Sequence, residues 1–142
     1  MLPDSAQVNG DAAGFGSSLV FACDLIVARE DATIVDTHLG MGEPPVGSPF
    51  GIVPGDGGGL LALHMTPAKA KEYLMLAKPY TAAELAHAGI INHAVPAPDL
   101  AGVADDLVAR LRPAMAPAWT KRFTNRHVVD HLARTLGASM AY

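Results

Sequence analysis

The chain has 142 residues, half of them apolar, and a formal net charge of −4 from 14 acidic and 10 basic side chains. That length suits one globular domain able to bury a core, and so few Lys and Arg argue against a phosphate-binding face, hence against nucleic acid as a partner. No apolar run reaches the ~18 residues that span a bilayer, Met1-Leu2-Pro3-Asp4 lacks a signal-peptide pattern, and the single Cys23 has no disulfide partner; together these predict a cytoplasmic protein with no membrane partner and with Cys23 as a small buried hydrophobe.

Residues 1–7 read as a polar lead without a core pattern, and Val8 as the end of a buried strand. The run Val8-Asn9-Gly10-Asp11-Ala12-Ala13-Gly14-Phe15-Gly16 then predicts a tight turn emptying into a helix start, because glycine accepts positive φ and lets a second backbone or a ligand come close. The free N–H groups of such a start favour negative charge, so an oxyanion near Phe15 is the expected chemistry. A chain that opens on so specialised a turn is expected to lack an N-terminal part of the pocket. Residues 16–23 read as a short helix with Leu19, Val20, Ala22 and Cys23 inward. Residues 25–28 and 32–35 read as short buried strands, the second ending at Asp36-Thr37-His38. Small alternating elements of this kind predict an α/β architecture.

The composition turns to Gly and Pro from 40 to 59, which predicts a long loop centred on 43–51. Asp56, inside Pro54-Gly55-Asp56-Gly57-Gly58-Gly59, reads most simply as a turn or N-cap aspartate before a helix over 60–65. Thr66-Pro67 caps the next helix, with Ala70, Tyr73, Leu74 and Ala77 as its apolar stripe. Thr81 and Glu84 form a capping box for a helix ending at Gly89. A strand over 90–95, an amphipathic helix over 99–111 with Leu100, Val103, Leu107 and Leu111 inward, and a last helix over about 119–136 complete the chain. The expected organisation is a core over 1–96 and a helical region over 97–142.

Several signals are weaker than they look. His127 and His131 stand four apart, as metal ligands can, but the Glu of the zinc-protease motif is missing between them, so a solvated helix face is the better reading and no metal is expected. Gly14-Phe15-Gly16 is no dinucleotide fingerprint, since Leu19 takes the third glycine position. Gly55 to Gly59 lacks the Lys-Ser/Thr ending of a P-loop.

Taken together, Val8-Asn9-Gly10 through Gly14-Phe15-Gly16, Cys23-Asp24-Leu25-Ile26-Val27-Ala28, Pro54-Gly55-Asp56-Gly57-Gly58 and Ala83-Glu84-Leu85-Ala86-His87-Ala88-Gly89-Ile90-Ile91-Asn92 resemble the crotonase superfamily, the enoyl-CoA hydratase/isomerase fold. The resemblance implies the C-terminal part of a spiral of ββα turns with appended helices, assembled as trimers or hexamers. It also implies an oxyanion hole of two backbone amides for a thioester enolate. The amide of Phe15 matches one of them, and the other would come from an earlier turn of the spiral, as would most of the CoA surface. No cofactor is implied, with acyl-CoA as a substrate. The family's two hydratase glutamates fall on Ser18 and His38; a serine cannot serve as a carboxylate base, whereas a histidine moves protons near neutral pH. Asp36-Thr37-His38 followed by Gly55-Asp56-Gly57 resembles the branch that hydrolyses cyclic β-diketones by retro-Claisen cleavage, with His38 as base and Asp56 as its orienting partner. The implied pocket takes in Gly14, Gly16, Ser18, Gly55 and Gly57, and residues 43–51 look like an insertion between His38 and Asp56. Two other readings stay open: a catalytically silent assembly or interaction module, and a partial product that folds beside another chain.

Overall fold

The computed structural model describes residues 3–41, 55–111 and 115–139. Its core is two turns of one motif. Strand β1 (Ser5–Val8), strand β2 (Ala12–Ala13) and helix α1 (Phe15–Phe21) form the first, and β3 (Leu25–Arg29), β4 (Thr33–Val35) and α2 (Gly55–His64) the second. Equivalent strands stack in parallel, β1 on β3 with Val8 opposite Ala28, and β2 on β4 with Ala12 opposite Ile34. The result is a pair of three-stranded sheets, β1-β3-β6 and β2-β4-β5, with β6 (His93–Val95) parallel to β3 and β5 (Tyr80–Thr81) antiparallel to β4. This is the expected ββα spiral.

Beyond the strands, helices α3 (Pro67–Leu76), α4 (Ala82–His87), α5 (Leu100–Leu111), α6 (Met115–Thr124) and α7 (Arg126–Ser139) wrap the body. The cap at Thr66 and the Thr81–Glu84 capping box form as the sequence predicts. Four boundaries differ. Residues 5–7 belong to β1 and not to a polar lead, because a parallel partner in β3 satisfies their backbone. Helix α2 begins at Gly55 rather than Leu60, so Asp56 lies in its first turn instead of in a loop. The strand expected from Ile90 begins at His93; Ile90 and Ile91 are buried in a turn, and Asn92 continues the pairing by accepting from Ile26 N–H through Oδ1 (2.7 Å) and donating its own N–H to the Ile26 carbonyl (3.1 Å). The single last helix is two, broken at Asn125.

The main core gathers Val8, Phe21, Ile26, Ile34, Leu61, Tyr73, Tyr80, Leu85 and Ile91 among others. Tyr73 stacks on Tyr80 at 5.6 Å and meets Phe21 edge-on at 6.4 Å. Val27, Leu100 and Ala104 form a second cluster where α5 lies on β1 and β3. The tail is tied to the start of the spiral by polar contacts. Lys121 bridges Asp24 (2.7 Å) and Asp4, Asn125 donates to Asp24 (3.0 Å), and the Asp4 N–H donates to the same carboxylate (2.7 Å). Burial works against the charge of Asp24, but these donors hold its carboxyl below the usual range. Among the described residues, no helix is long and apolar enough to cross a membrane.

His64 locks α2 to α1. Its Nε2–H donates to the Phe21 carbonyl at 2.7 Å, and its ring stands 5.5 Å from the Phe21 ring. Burial lowers its pKa from 6.5, more than the Phe21 carbonyl and the Asp24 charge restore. A folded-state pKa below the unfolded one means that the unfolded chain takes up the proton first. The stabilising share is therefore complete above about pH 6.5 and fades as pH falls toward the depressed value. Thermal melts at pH 7.5 and 5.5 should show a smaller loss for His64→Gln than for the natural protein.

Candidate functional site

The site is built where α1 begins beside the end of β4. Gly14 precedes the helix at φ 54°, a conformation that favours glycine, and donates its N–H to the Val35 carbonyl at 2.9 Å. A Cβ at Gly14 would stand 3.0 Å from Thr37 Oγ1. These two constraints hold Gly14 against the strand that runs on into His38. Ser17 and Ser18 both donate back to the Gly14 carbonyl, whereas no acceptor among the described residues meets the N–H of Phe15 or Gly16. Two main-chain donors are thus left at the helix start.

His38 opens the 3-10 turn His38–Met41 that follows β4. Its Nδ1 lies 2.8 Å from Asp36 Oδ1, and the same oxygen accepts the His38 backbone N–H at 3.0 Å. The Asp36 side chain is fully buried, while that of His38 is 19% exposed. One nitrogen of the ring is therefore committed inward and the ring remains reachable. Four polar side-chain atoms buried in this part of the chain, Ser17 Oγ, Ser18 Oγ, Asp36 Oδ2 and Tyr73 Oη, have no hydrogen-bond partner among the described residues, and Tyr73 lies near Ser17 and Asp36. Burial drives the Tyr73 hydroxyl far above the ordinary tyrosine range; the Ser17 hydroxyl, near it but outside hydrogen-bonding geometry, partly opposes this, and the Asp36 charge adds to it. The phenol stays neutral.

The residues singled out from the sequence divide unevenly. Gly14 touches Val35 and Thr37, the residue before His38, so the helix start at residues 14–16 and the histidine are joined through that strand end. The Phe15 side chain is 64% exposed, so only its backbone can serve a buried charge. Ser18 is buried. Gly55 and Gly57 lie in the first turn of α2, where Gly57 packs on Asp36. The side chain of Asp56 and the whole of 43–51 lie outside the described residues. The sequence reading also placed Leu19 and Ala22 inward, yet both are exposed, and Ser17, Ser18, Val20 and Phe21 form the buried face. It missed Asp36, for which a signal existed: a carboxylate two residues before a candidate base, at the end of a buried strand. His127 and His131 are both exposed. Trp119, Phe123 and Val129 line a groove of about 830 Å³ along α6 and α7 that includes none of the site residues.

The sequence profile of the Enoyl-CoA hydratase/isomerase family matches residues 2–141. A Bacillus subtilis protein carrying the name enoyl-CoA hydratase/isomerase YngF is 34% identical over 110 residues, 77% of this chain and 39% of that one. The crystal structure of an enoyl-CoA hydratase from Mycobacterium avium subsp. paratuberculosis superposes with a TM-score of 0.84 at 29% identity, over 98% of this chain and 54% of its own. Pseudomonas aeruginosa OdaA gives 0.81 at 26%, over 96% and 53%. The chain spans about half the length of these structures, and less of the Bacillus protein. With its stacked ββα turns and a profile match over nearly every residue, the chain belongs to the enoyl-CoA hydratase/isomerase family, within the crotonase superfamily.

Proposed function

We propose that the site handles enolate chemistry on an acyl-CoA thioester, with the Phe15 N–H as one donor to the enolate oxygen and His38 moving the proton. The observation that carries this reading is the clamp between Gly14 and Val35, which holds an unspent helix start beside the strand that delivers the histidine. Charge developing on a carbonyl oxygen is best met by fixed main-chain dipoles that need no reorganisation. The second amide and most of the CoA surface belong, on this reading, to an earlier turn of the spiral. Ser18 leaves the first glutamate position without a base, so all proton transfer falls to His38, oriented by a carboxylate, the part that the sequence suggests for Asp56. No cofactor takes part, and a trimer or hexamer is the proposed assembly.

A second reading rests on the histidine itself. An imidazole backed by a carboxylate suits activation of water, as in retro-Claisen hydrolysis of a cyclic β-diketone. There water adds to one carbonyl, the ring C–C bond breaks, and its electron pair leaves as an enolate on the Phe15 amide. Incubation with crotonyl-CoA and with a bicyclic β-diketone separates the two. Hydration or isomerisation of the first supports the thioester reading, and ring opening of the second supports the hydrolase. Turnover of neither would leave a silent assembly module, whose association state sedimentation would read.

A further inference from the structure

We propose that Asp36 is the positioning residue of His38 and that Gly57 is glycine in order to admit its carboxylate; the inference rests on the reading of His38 as the base. A carboxylate offers only acceptors, so a neutral His38 held at 2.8 Å by Asp36 Oδ1 carries its proton on Nδ1 and keeps the Nε2 lone pair for the substrate. The backbone N–H of His38 bonds to the same oxygen, which fixes ring and main chain together. When Nε2 takes up a proton, the imidazolium forms against a fully buried carboxylate, where their attraction is little screened. Asp36 thus fills the role that the sequence suggests for Asp56.

The other oxygen explains Gly57. A Cβ there would overlap Asp36 Oδ2 and stand 3.5 Å from Leu74 Cδ2 and 3.6 Å from Asp36 Cγ. Asp36 has no slack to yield: it is buried, short, and tied at Oδ1 to His38 twice. Alanine at 57 would therefore push the carboxylate and turn the ring, although helix propensity alone favours Ala over Gly within α2.

The test reads the tautomer directly, by imidazole nitrogen chemical shifts in protein labelled with 15N-histidine, with His38 assigned by loss of its signals in His38→Gln. The natural protein above neutral pH should show His38 protonated on Nδ1; protonation on Nε2 would overturn the inference. Asp36→Ala, folded by circular dichroism, should move the proton to Nε2 and lower kcat on whichever probe is turned over by on the order of 10²-fold or more with KM little changed. Retention of the Nδ1–H form in that variant overturns the inference too. Should Asp36→Ala fail to fold, Gly57→Ala keeps the carboxylate and only displaces it. The expected result is a changed His38 signal and reduced kcat, and an unchanged signal counts against the proposal. An Nδ1–H tautomer in a protein that turns over neither crotonyl-CoA nor the β-diketone would sink the functional reading and leave the pairing standing.

Discussion

His38→Gln lowers turnover of the productive probe by about 10²–10⁴-fold, the range a positioned general acid or base contributes, while the thermal melt stays close to that of the natural protein. The two halves of this expectation have different physical sources. His38 lies in a short 3-10 turn at the edge of the body, its side chain is 19% exposed, and the core clusters do not include it. Removing the ring therefore costs little packing. It does leave Asp36 Oδ1 with the backbone N–H of residue 38 as its one remaining partner among the described residues, which limits how neutral the change can be. The fall should lie in kcat with KM little altered, because proton transfer belongs to the transition state and not to binding. Full activity in the folded variant would remove His38 from the chemistry and leave family membership as the sole functional statement.

How far the sequence anticipates this arrangement depends on which physical signal carries each part. The glycine-framed turn was legible because Gly14 must take positive φ, and a main-chain requirement of that kind shows in residue type alone. The same holds for the Thr81–Glu84 box, whose two hydrogen bonds need those side chains three apart. Of strand β1 only its buried end at Val8 was legible, since Ser5, Ala6 and Gln7 are polar or small and become a strand through pairing with β3, a contact of long sequence separation. Helix α2 misled for a related reason. Four glycines in its first turns argue for a loop on propensity, but the helix packs on α1, α3 and α7, and Gly57 sits where Asp36 leaves no room for a side chain. In the site, residue type was legible and partnership was not. A histidine after a strand was visible in the sequence, whereas its contact with Asp36 depends on side-chain direction.

Helix α1 gives the other large effect, through Phe21, a buried residue that the inward set read from the sequence leaves out. Phe21→Ala should cost about 3–5 kcal/mol, a large part of the stability of an ordinary domain, while Leu19→Ala should stay within about 0.5 kcal/mol. Both residues are apolar and lie on one seven-residue helix, so hydrophobicity alone would rank them together. Burial separates them. Phe21 is 1% exposed, meets Tyr73 edge-on and His64 at 5.5 Å, and its carbonyl accepts the His64 bond that joins α1 to α2; Leu19 is 56% exposed. Urea denaturation of the two variants gives the ranking. The Phe21 variant should also lose turnover at temperatures where it is still folded, because the inward face of α1 sets the direction in which the Phe15 N–H points. The opposite ranking, with Leu19 the costly position, would mean that the helix is rotated about its axis. Ser17 and Ser18 would then face solvent, Tyr73 would lose the Ser17 hydroxyl beside it, and the Gly14 contact with the strand that runs on into His38 would be disturbed.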